Sequence, residues 1–407
     1  MKYAVILGDG MADWPVDALG GKTPLDVAAH PNMDRLAQSG IFGTVRTVPE
    51  GMKPGSDVAN LAVFGYDPRV YYTGRSPLEA MSLGIPLGKE DVTYRCNFVT
   101  LSGGDMLVGA SMDDYSAGEI STNEAAQLVS FLNELLAEDG VRLYPGFSYR
   151  HCLVLKNAKT GAQLTPPHDI SGQSIDGKLP LGTNAKLLLK WMETARRELP
   201  KHPVNQKRIR EGKNPANAIW FWGEGRRPKL APFTEKTGLK GAVISAVDLI
   251  QGIGRCAGME VIKVKGATGT FETNFAGKAR AAADAFSRGV DYVYLHMEAP
   301  DECGHHGQLK EKIYSIERID SQVLGFVLDY LEKSGEDYRV LLLPDHPTPL
   351  KIRTHAADPV PFVLYHKGDG ANKNVCYCER DAVRTGVHLD EGYKLIDWLR
   401  EDSHILK

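Results

Sequence analysis

The sequence predicts an α/β fold in which a mostly parallel sheet is flanked by helices, with a smaller α+β domain inserted into the core. Apolar runs alternate with amphipathic segments at both ends of the chain, as in KYAVILGDG before PNMDRLAQSG and KIYSIERIDSQVLGFVLDYLEKSG before YRVLLLPDHPTP. Continuous apolar strands alternating with helices are typical of parallel sheets that are covered on both faces.

Residues 92–215 have a different pattern. Shorter strands such as YRCNFVTL and RHCLVLKN accompany two helical segments, and the region ends in the polar, basic stretch KHPVNQKRIREGKNPAN. We therefore predict a discontinuous core of residues 1–91 and 216–407, interrupted by a cap domain over residues 92–215. A chain of 407 residues is too long to fold around one ordinary hydrophobic core, which agrees with two domains.

The composition is that of a globular protein, with 43% hydrophobic and 24% charged residues. A net charge of −3, from 48 basic and 51 acidic side chains, gives no electrostatic reason to expect nucleic acid or an anionic membrane as the main partner, so we predict neither. The first apolar run is too short for a signal peptide, and no stretch approaches the roughly 18 apolar residues of a membrane span. The six cysteines are scattered, so we expect free thiols in a cytoplasmic protein.

Oxygen and imidazole side chains cluster where predicted strands end, in GDG, in the polar segment APDECGHHG that we interpret as a glycine-rich loop, in PDHPTP and in RTHAADPVP. Any single member would be explained as a polar loop residue. In a parallel sheet, however, strand ends of this kind meet along one edge. The set consists of Asp9, Asp301, His305, Asp345, His346 and His355. Such ligands suit Mn²⁺ or Zn²⁺, and Mg²⁺ less readily, and a pair of ions about 3.5–4 Å apart serves phosphoryl transfer.

Ser56 is the candidate nucleophile. It follows Pro54 and Gly55 and precedes DVANLAVFG, a predicted helix, so its hydroxyl would lie at a helix N-terminus that favours a bound anion. Considered locally, a plain N-cap role is the simpler explanation, because serine is a preferred capping residue. A metal ion bound to the oxygen would make it reactive by lowering its pKa.

These blocks, with KPGSDVANLAVFGYDP and YTGRSPLEA, resemble the cofactor-independent phosphoglycerate mutases of the short archaeal type, within the alkaline phosphatase superfamily. The resemblance runs from end to end and implies an alkaline-phosphatase-like core. It implies one ion held by Asp9, Asp345 and His346 beside Ser56, and a second ion held by the remaining members of the set, Asp301, His305 and His355. Ser56 would become phosphoserine during interconversion of 3- and 2-phosphoglycerate, a glycolytic reaction, while the cap excludes water.

Basic residues near these blocks are candidates for binding the substrate, a small phosphorylated metabolite, because arginine clamps carboxylate and phosphate groups. The candidates are Arg75, Arg95, Arg150, His151 and Arg226. The segment GAVISAVDLIQGIG contains no lysine, unlike the corresponding block of the longer bacterial mutases, so the basic partner of the transferring phosphate stays open. The oligomeric state also stays open.

Three alternatives remain at this stage. A related sub-branch with HPVN, PANAIWFWG and TPPHDISGQ has been proposed as homoserine kinase, although no G-x-x-x-x-G-K-[ST] motif supports nucleotide binding. Phosphatase activity would follow from a cap that closes poorly. A metal-binding protein without catalysis is the third alternative, and the complete ligand set with its serine argues against it.

Overall fold

The structure is a computed structural model that describes residues 1–104 and 106–401. It divides into two compact units. The first unit comprises Met1–Tyr72 together with the chain from Lys229 onward, and the second unit comprises Thr73–Pro228.

The strands, in chain order, are β1 (Lys2–Gly8), β2 (Ile41–Val45), β3 (Val92–Ser102), β4 (Ser111–Asp114), β5 (Val141–Tyr144), β6 (Arg150–Leu155), β7 (Ala162–Gln163), β8 (Leu181–Gly182), β9 (Ala218–Arg226), β10 (Gly241–Ile244), β11 (Glu260–Ile262), β12 (Tyr292–Met297), β13 (Tyr338–Leu343), β14 (Val360–His366) and β15 (His388–Leu389).

The α-helices are α1 (Pro24–Val27), α2 (Pro31–Ser39), α3 (Ser56–Val63), α4 (Pro68–Tyr71), α5 (Ser76–Ser82), α6 (Thr122–Leu135), α7 (Ala185–Glu198), α8 (Pro203–Arg210), α9 (Phe233–Thr237), α10 (Asp248–Cys256), α11 (Phe275–Ser287), α12 (Ala299–His306), α13 (Leu309–Arg318), α14 (Gly325–Ser334), α15 (Glu379–Arg384) and α16 (Leu395–Arg400). Short 3₁₀ turns cover Asp17–Leu19, Pro167–Ile170, Leu199–Lys201 and Gly392–Lys394, and a π-helical turn, Ile319–Leu324, joins α13 to α14.

The first unit is built on one sheet in the order β11-β10-β12-β1-β13-β14-β2-β15. The five strands from β11 to β13 are parallel, β14 runs antiparallel to both of its neighbours, and β15 is parallel to β2. Every residue of β1, KYAVILG, is buried, as expected of a central strand between two parallel neighbours. The predicted α/β class with a mostly parallel sheet is confirmed.

Helices cover both faces of this sheet, as the alternation along β12 shows. Val293 and Leu295 join the core cluster that contains residues of α11 and α14. On the other face, Tyr292 contacts Phe233 of α9, with ring centroids 4.7 Å apart, and Tyr294 stacks on Phe64 at 4.1 Å. Both faces of the strand are therefore buried, which explains its uninterrupted apolar pattern.

The second unit is an α+β unit built on an antiparallel sheet. Its strand β3 pairs with β6 on one side and with β9 on the other, β4 joins the end of β3, and β5 pairs with β6. The unit has its own core, to which α6 contributes Leu128 and Leu132, and α7 contributes Leu188 and Trp191.

The predicted domain boundaries at 91/92 and 215/216 differ from those of the two units. We predicted that the core resumes at NAIWFWG, but this segment forms β9, which pairs with β3 inside the second unit. Likewise α5 packs against β3 and β9. Long-range strand pairing decides where a segment belongs, and the local apolar pattern does not reveal the partner.

Within residues 1–104 and 106–401, no helix is long and apolar enough to cross a membrane. All six cysteines lie among the described residues as free thiols, and every one except Cys376 is buried.

Candidate active site

The acidic residues of the site follow three neighbouring parallel strands. Strand β1 lies between β12 and β13, and Asp9 follows β1 directly, whereas Asp345 comes two residues after the end of β13. Asp301 lies in the first turn of α12, just beyond β12. Because the carboxyl ends of parallel strands meet at one edge of the sheet, residues far apart in sequence are brought together here.

Asp9 is buried, with 1% of its surface exposed. Its Oδ2 atom lies 2.9 Å from Nε2 of His296, a residue of β12. Its Oδ1 atom has no hydrogen-bond partner among the described residues and lies 3.6 Å from Nε2 of His346. Burial, together with the negative charges of Asp345 and Asp301, raises the pKa of Asp9 well above its usual range. A cation beside this carboxylate would relieve both effects.

Asp345 is held by several donors. Its Oδ1 atom accepts hydrogen bonds from the backbone N–H groups of Gly10 at 3.1 Å and of His346 at 2.9 Å. Its Oδ2 atom accepts one from the amide of Asn60 at 2.8 Å. The imidazole of His346 is fully buried, and burial lowers the pKa of this histidine, which favours the neutral form that binds metal ions.

Asp301, His305 and His355 form the second part of the site. His305 lies one helical turn after Asp301, and its Nε2 atom is 3.2 Å from the Asp301 carboxylate and 3.0 Å from Nε2 of His355. His355 lies 3.5 Å from the same carboxylate. The hydrogen bond and the charge of Asp301 raise the pKa of His305 to about 9. We predicted a polar loop here, but the segment is the short helix α12, whose i, i+4 spacing aligns the two side chains.

Ser56 is the first residue of α3, and Gly55 occupies the N-cap position without a side-chain cap. The Ser56 hydroxyl instead lies 3.1 Å from Nε2 of His346, the same atom that lies 3.6 Å from Asp9 and 3.4 Å from Asp345. The local alternative, a capping serine, is seen elsewhere: Ser121 caps α6 in a capping box with Glu124. Ser56 therefore makes a contact that capping does not explain.

The arrangement fits divalent cations. Potential ligand atoms of Asp9, Asp345 and His346 all lie within 4.8 Å of one another, and so do those of Asp301, His346 and His355. His346 belongs to both groups, so it lies between the two parts of the site. Asp9, Asp301 and Asp345 place three buried carboxylates around the imidazole of His346. The buried Oδ1 atom of Asp9, which has no hydrogen-bond partner among the described residues, is available as a ligand.

Gly10 allows two of the ligand segments to approach each other. Its φ angle of +61° lies in the left-handed region, and a Cβ atom at this position would come within 2.6 Å of the Asp301 Cα atom. A side chain at position 10 would therefore clash with the Asp301 backbone, and its left-handed backbone conformation would also be strained. Gly10 of the G-D-G motif is thus required by its close approach to Asp301 of α12.

Comparisons with known proteins identify the family of this chain. The family model described as 2,3-bisphosphoglycerate-independent phosphoglycerate mutase matches residues 37–205. A relative of that name from Methanothrix thermoacetophila is 54% identical over 97% of this chain and 98% of its own length. The chain belongs to this mutase family. A probable mutase of the same kind from Geobacter sulfurreducens is 51% identical, over 98% of this chain and 99% of its own length.

Solved structures agree with membership of the mutase family. The PH0037 protein from Pyrococcus horikoshii has a TM-score of 0.80 and 31% identity, covering 98% of this chain and 96% of that one. The cofactor-independent phosphoglycerate mutase from Thermoplasma acidophilum has a TM-score of 0.67 and 26% identity, covering 98% and 99%. The predicted family and the α/β fold class are confirmed, and the chain is an enzyme of the mutase family.

Arginine candidates of the second unit gather around Glu79. The Nε atoms of Arg75 and Arg95 each lie 2.9 Å from one oxygen of this carboxylate, and the charge of Arg150 also acts on it. The guanidinium of Arg95 stacks on the ring of Trp222, 3.9 Å from its centroid. The effect of burial on Arg95 is larger than that of the Glu79 charge, so the pKa of Arg95 is lowered to about 10. Arginines held side by side in this way suit an anionic ligand.

The structure does not bring His151 and Arg226 to this cluster. His151 alternates with Arg150 along β6 and is buried against Phe98, with ring centroids 4.7 Å apart. Its Nδ1 atom accepts a hydrogen bond from the Gly146 N–H group, and burial lowers its pKa to about 3. Arg226 ends β9 and pairs with Glu90 at 2.7 Å, inside the second unit and not in the returning core.

Sequence reasoning missed buried polar residues that touch the site, among them His296 and Asn60. His296 lies in the otherwise apolar strand YVYLHM, and its Nδ1 atom is 3.2 Å from the Ser245 hydroxyl. Asn60 lies in the apolar helix SDVANLAV and is fully buried. A polar side chain inside an apolar element was the available signal, because such groups are buried only when they are hydrogen-bonded.

Proposed function

We propose that this chain interconverts 3-phosphoglycerate and 2-phosphoglycerate without bisphosphoglycerate, using two divalent ions and Ser56 as the nucleophile. The observation that carries the proposal is the position of the Ser56 hydroxyl, 3.1 Å from His346 within a cluster of buried carboxylates. The names of its relatives point to the same reaction.

Asp9, Asp345 and His346 would hold one ion beside Ser56, and Asp301, His305 and His355 would hold the other. The ions, when bound, supply Lewis-acid stabilisation of the charge that develops on the phosphoryl oxygens and on the serine oxygen. The oxygen and imidazole donors favour Mn²⁺ or Zn²⁺ over Mg²⁺.

The Ser56 oxygen forms a bond to phosphorus while the bond from phosphorus to one glycerate oxygen breaks. In the second step the other glycerate hydroxyl forms a bond to the phosphorus of phosphoserine while the bond from phosphorus to the Ser56 oxygen breaks. One hydroxyl gains the proton that the other loses, so no donor nucleotide and no water are consumed. The position of Ser56 at the start of α3 directs helix N–H groups toward the phosphate, which favours the anion.

Arg75, Arg95 and Arg150 are proposed to bind the carboxylate or the phosphate of the substrate. Glu79 keeps two of these guanidinium groups in fixed orientations, and such preorganisation reduces the entropy lost on binding. The role of the second unit as a cap that excludes water is part of the same proposal.

A two-substrate assay of the Mn²⁺-loaded protein tests the proposal. We expect conversion of 3-phosphoglycerate to 2-phosphoglycerate without added bisphosphoglycerate. ATP-dependent phosphorylation of homoserine without mutase turnover would show that the kinase alternative is correct, and net release of inorganic phosphate as the main product would identify a phosphatase.

Replacing the nucleophile provides a sharper test. The Ser56→Ala variant should lose turnover while its metal content stays that of the wild type. Ser121→Ala is the matched control, because it removes a serine at another helix N-terminus and should leave turnover intact. Substantial activity in Ser56→Ala would refute the phosphoserine step.

A further inference from the structure

Lys312 is a fully buried lysine of α13, with 0% of its side chain exposed. Its ammonium group is 2.6 Å from the Asp13 carboxylate, whose side chain is 1% exposed. It also donates hydrogen bonds to the carbonyl oxygens of Ala12 at 3.3 Å and Thr348 at 2.8 Å. All three donors of the ammonium are therefore used, as an ammonium that has left water requires.

The two carbonyl groups belong to segments that carry proposed metal ligands. Ala12 comes three residues after Asp9, and Thr348 comes two residues after His346. The Thr348 N–H group donates to the Ala12 carbonyl at 3.2 Å, and the Thr348 hydroxyl donates to the carboxylate of Asp301. The Lys312 ammonium thus contacts both the segment that follows β1 and the segment that follows β13. Thr348 in turn contacts Asp301, the proposed ligand on α12.

Asp13, the partner of Lys312 in this ion pair, is also held by several hydrogen bonds. Oδ1 of Asp13 accepts a hydrogen bond from the Trp14 N–H group at 2.8 Å, and the carboxylate also accepts one from the Leu350 N–H group at 3.3 Å. The Asp13 N–H group donates to Glu379 at 2.9 Å. A buried ion pair is not in itself favourable for stability compared with apolar side chains of the same volume. A requirement for precise placement of the two segments explains its presence better.

We propose that Lys312 is a positioning residue that sets the separation of the ligand-bearing segments and thereby the affinity for divalent cations. The inference rests on the proposed metal site. Lys312 does not contact the metal ligands themselves, and it acts through Ala12 and Thr348. Outer residues that orient metal ligands typically change metal affinity by about 10- to 100-fold when they are replaced.

The test is a Mn²⁺ titration of the metal-stripped full chain by equilibrium dialysis, with the thermal midpoint of the same stripped protein measured in parallel. The Lys312→Met variant keeps the aliphatic volume and should bind Mn²⁺ about 10- to 100-fold more weakly. Because this variant leaves Asp13 buried without its cation, the double variant Asp13→Asn, Lys312→Met is measured as well. It removes both charges and should still bind Mn²⁺ more weakly than the wild type.

Lys2→Met is the matched control. Lys2 is another buried lysine of the first unit, at the opposite end of β1, and it donates to the carbonyl of Val290 at 3.1 Å. We expect a lower thermal midpoint with wild-type Mn²⁺ affinity. Wild-type Mn²⁺ affinity in both Lys312 variants, whatever their thermal midpoints, would overturn the positioning role. Failure of the wild-type chain itself to bind Mn²⁺ would instead refute the proposed function.

Discussion

Asn60 provides the most direct test of how the site is assembled. Its amide donates hydrogen bonds to Asp345 Oδ2 and to the Ser56 carbonyl, each at 2.8 Å. Its Oδ1 atom accepts a hydrogen bond from the Tyr294 hydroxyl at 2.6 Å. The side chain therefore connects the nucleophile helix, a proposed metal ligand and the strand β12. The substitution Asn60→Leu keeps the volume and removes all three hydrogen bonds.

The expected loss of stability can be worked from these contacts. A hydrogen bond to a carboxylate contributes about 1.5–3 kcal/mol, and a buried hydroxyl left without an acceptor costs about 1–3 kcal/mol. The free energy of unfolding should therefore fall by about 3–5 kcal/mol. Tyr294→Phe removes only the hydroxyl, since its ring stays stacked on Phe64, and should cost about 1–2 kcal/mol.

The assay is urea unfolding of the metal-free protein, followed by circular dichroism, for the two single variants and the double variant. Asn60→Leu should cost about 1–3 kcal/mol less in the Tyr294→Phe background than in the wild type. In that background there is no Tyr294 hydroxyl to be left without a hydrogen-bond acceptor. Equal costs in the two backgrounds would refute the coupling. A loss below about 0.5 kcal/mol in Asn60→Leu would show that the buried amide is not needed.

Three further outcomes are expected. The His355→Ala variant should lose at least one of two bound divalent ions, measured by elemental analysis, and an intact two-ion content would contradict the proposed ligand set. Burial works against the charged form of His30, but the carboxylate of Asp34, 3.2 Å from Nδ1, and the hydrogen bond from Nε2 to the Leu25 carbonyl raise its pKa above 6.5. Its contribution to stability is therefore complete below about pH 6.5 and is lost as the pH rises through the folded-state pKa. Wild type should accordingly exceed His30→Gln in stability by more at pH 6 than at pH 9, and the reverse order in urea unfolding would be incompatible with this pairing. Gly10→Ala should destabilise the protein by more than the roughly 1–2 kcal/mol of left-handed strain alone; Gly20→Ala is the control, because its φ is +66° with no atom within 4 Å, and equal unfolding midpoints would argue against a close approach at Gly10.

That several residues of the candidate site lie together could be predicted from sequence, because they follow the ends of strands. Asp9 and the Asp345-His346 pair follow apolar runs, and parallel strands bring their carboxyl ends to one edge whatever the loops do. The local conformation of the segment with Asp301 and His305 was predicted wrongly. Its glycines indicated a loop, yet the chain forms α12. Gly304 is there for packing and not for a turn, since a Cβ atom at this position would lie 2.5 Å from the Thr348 carbonyl oxygen.

The residues that support the cluster could not be predicted, because their partners are distant in sequence. Asn60 and Lys312 have no local motif, and their roles appear only when β12, α3 and α13 are placed together. The strand β9 was assigned to the wrong domain for the same reason. His151 and Arg150 are adjacent in sequence, but the period of two along β6 sends them to opposite faces.

The interrupted order of the first unit has a consequence for synthesis on the ribosome. The cluster draws on side chains from Asp9 to His355, whereas the second unit is one continuous stretch, Thr73–Pro228. Chains emerge from the N-terminus and fold as units, so the antiparallel unit can be finished while β1 still lacks its neighbour β13. Binding of the proposed cations would then have to wait until the chain as far as His355 has left the exit tunnel. A metal-loaded site would therefore indicate a nearly completed chain.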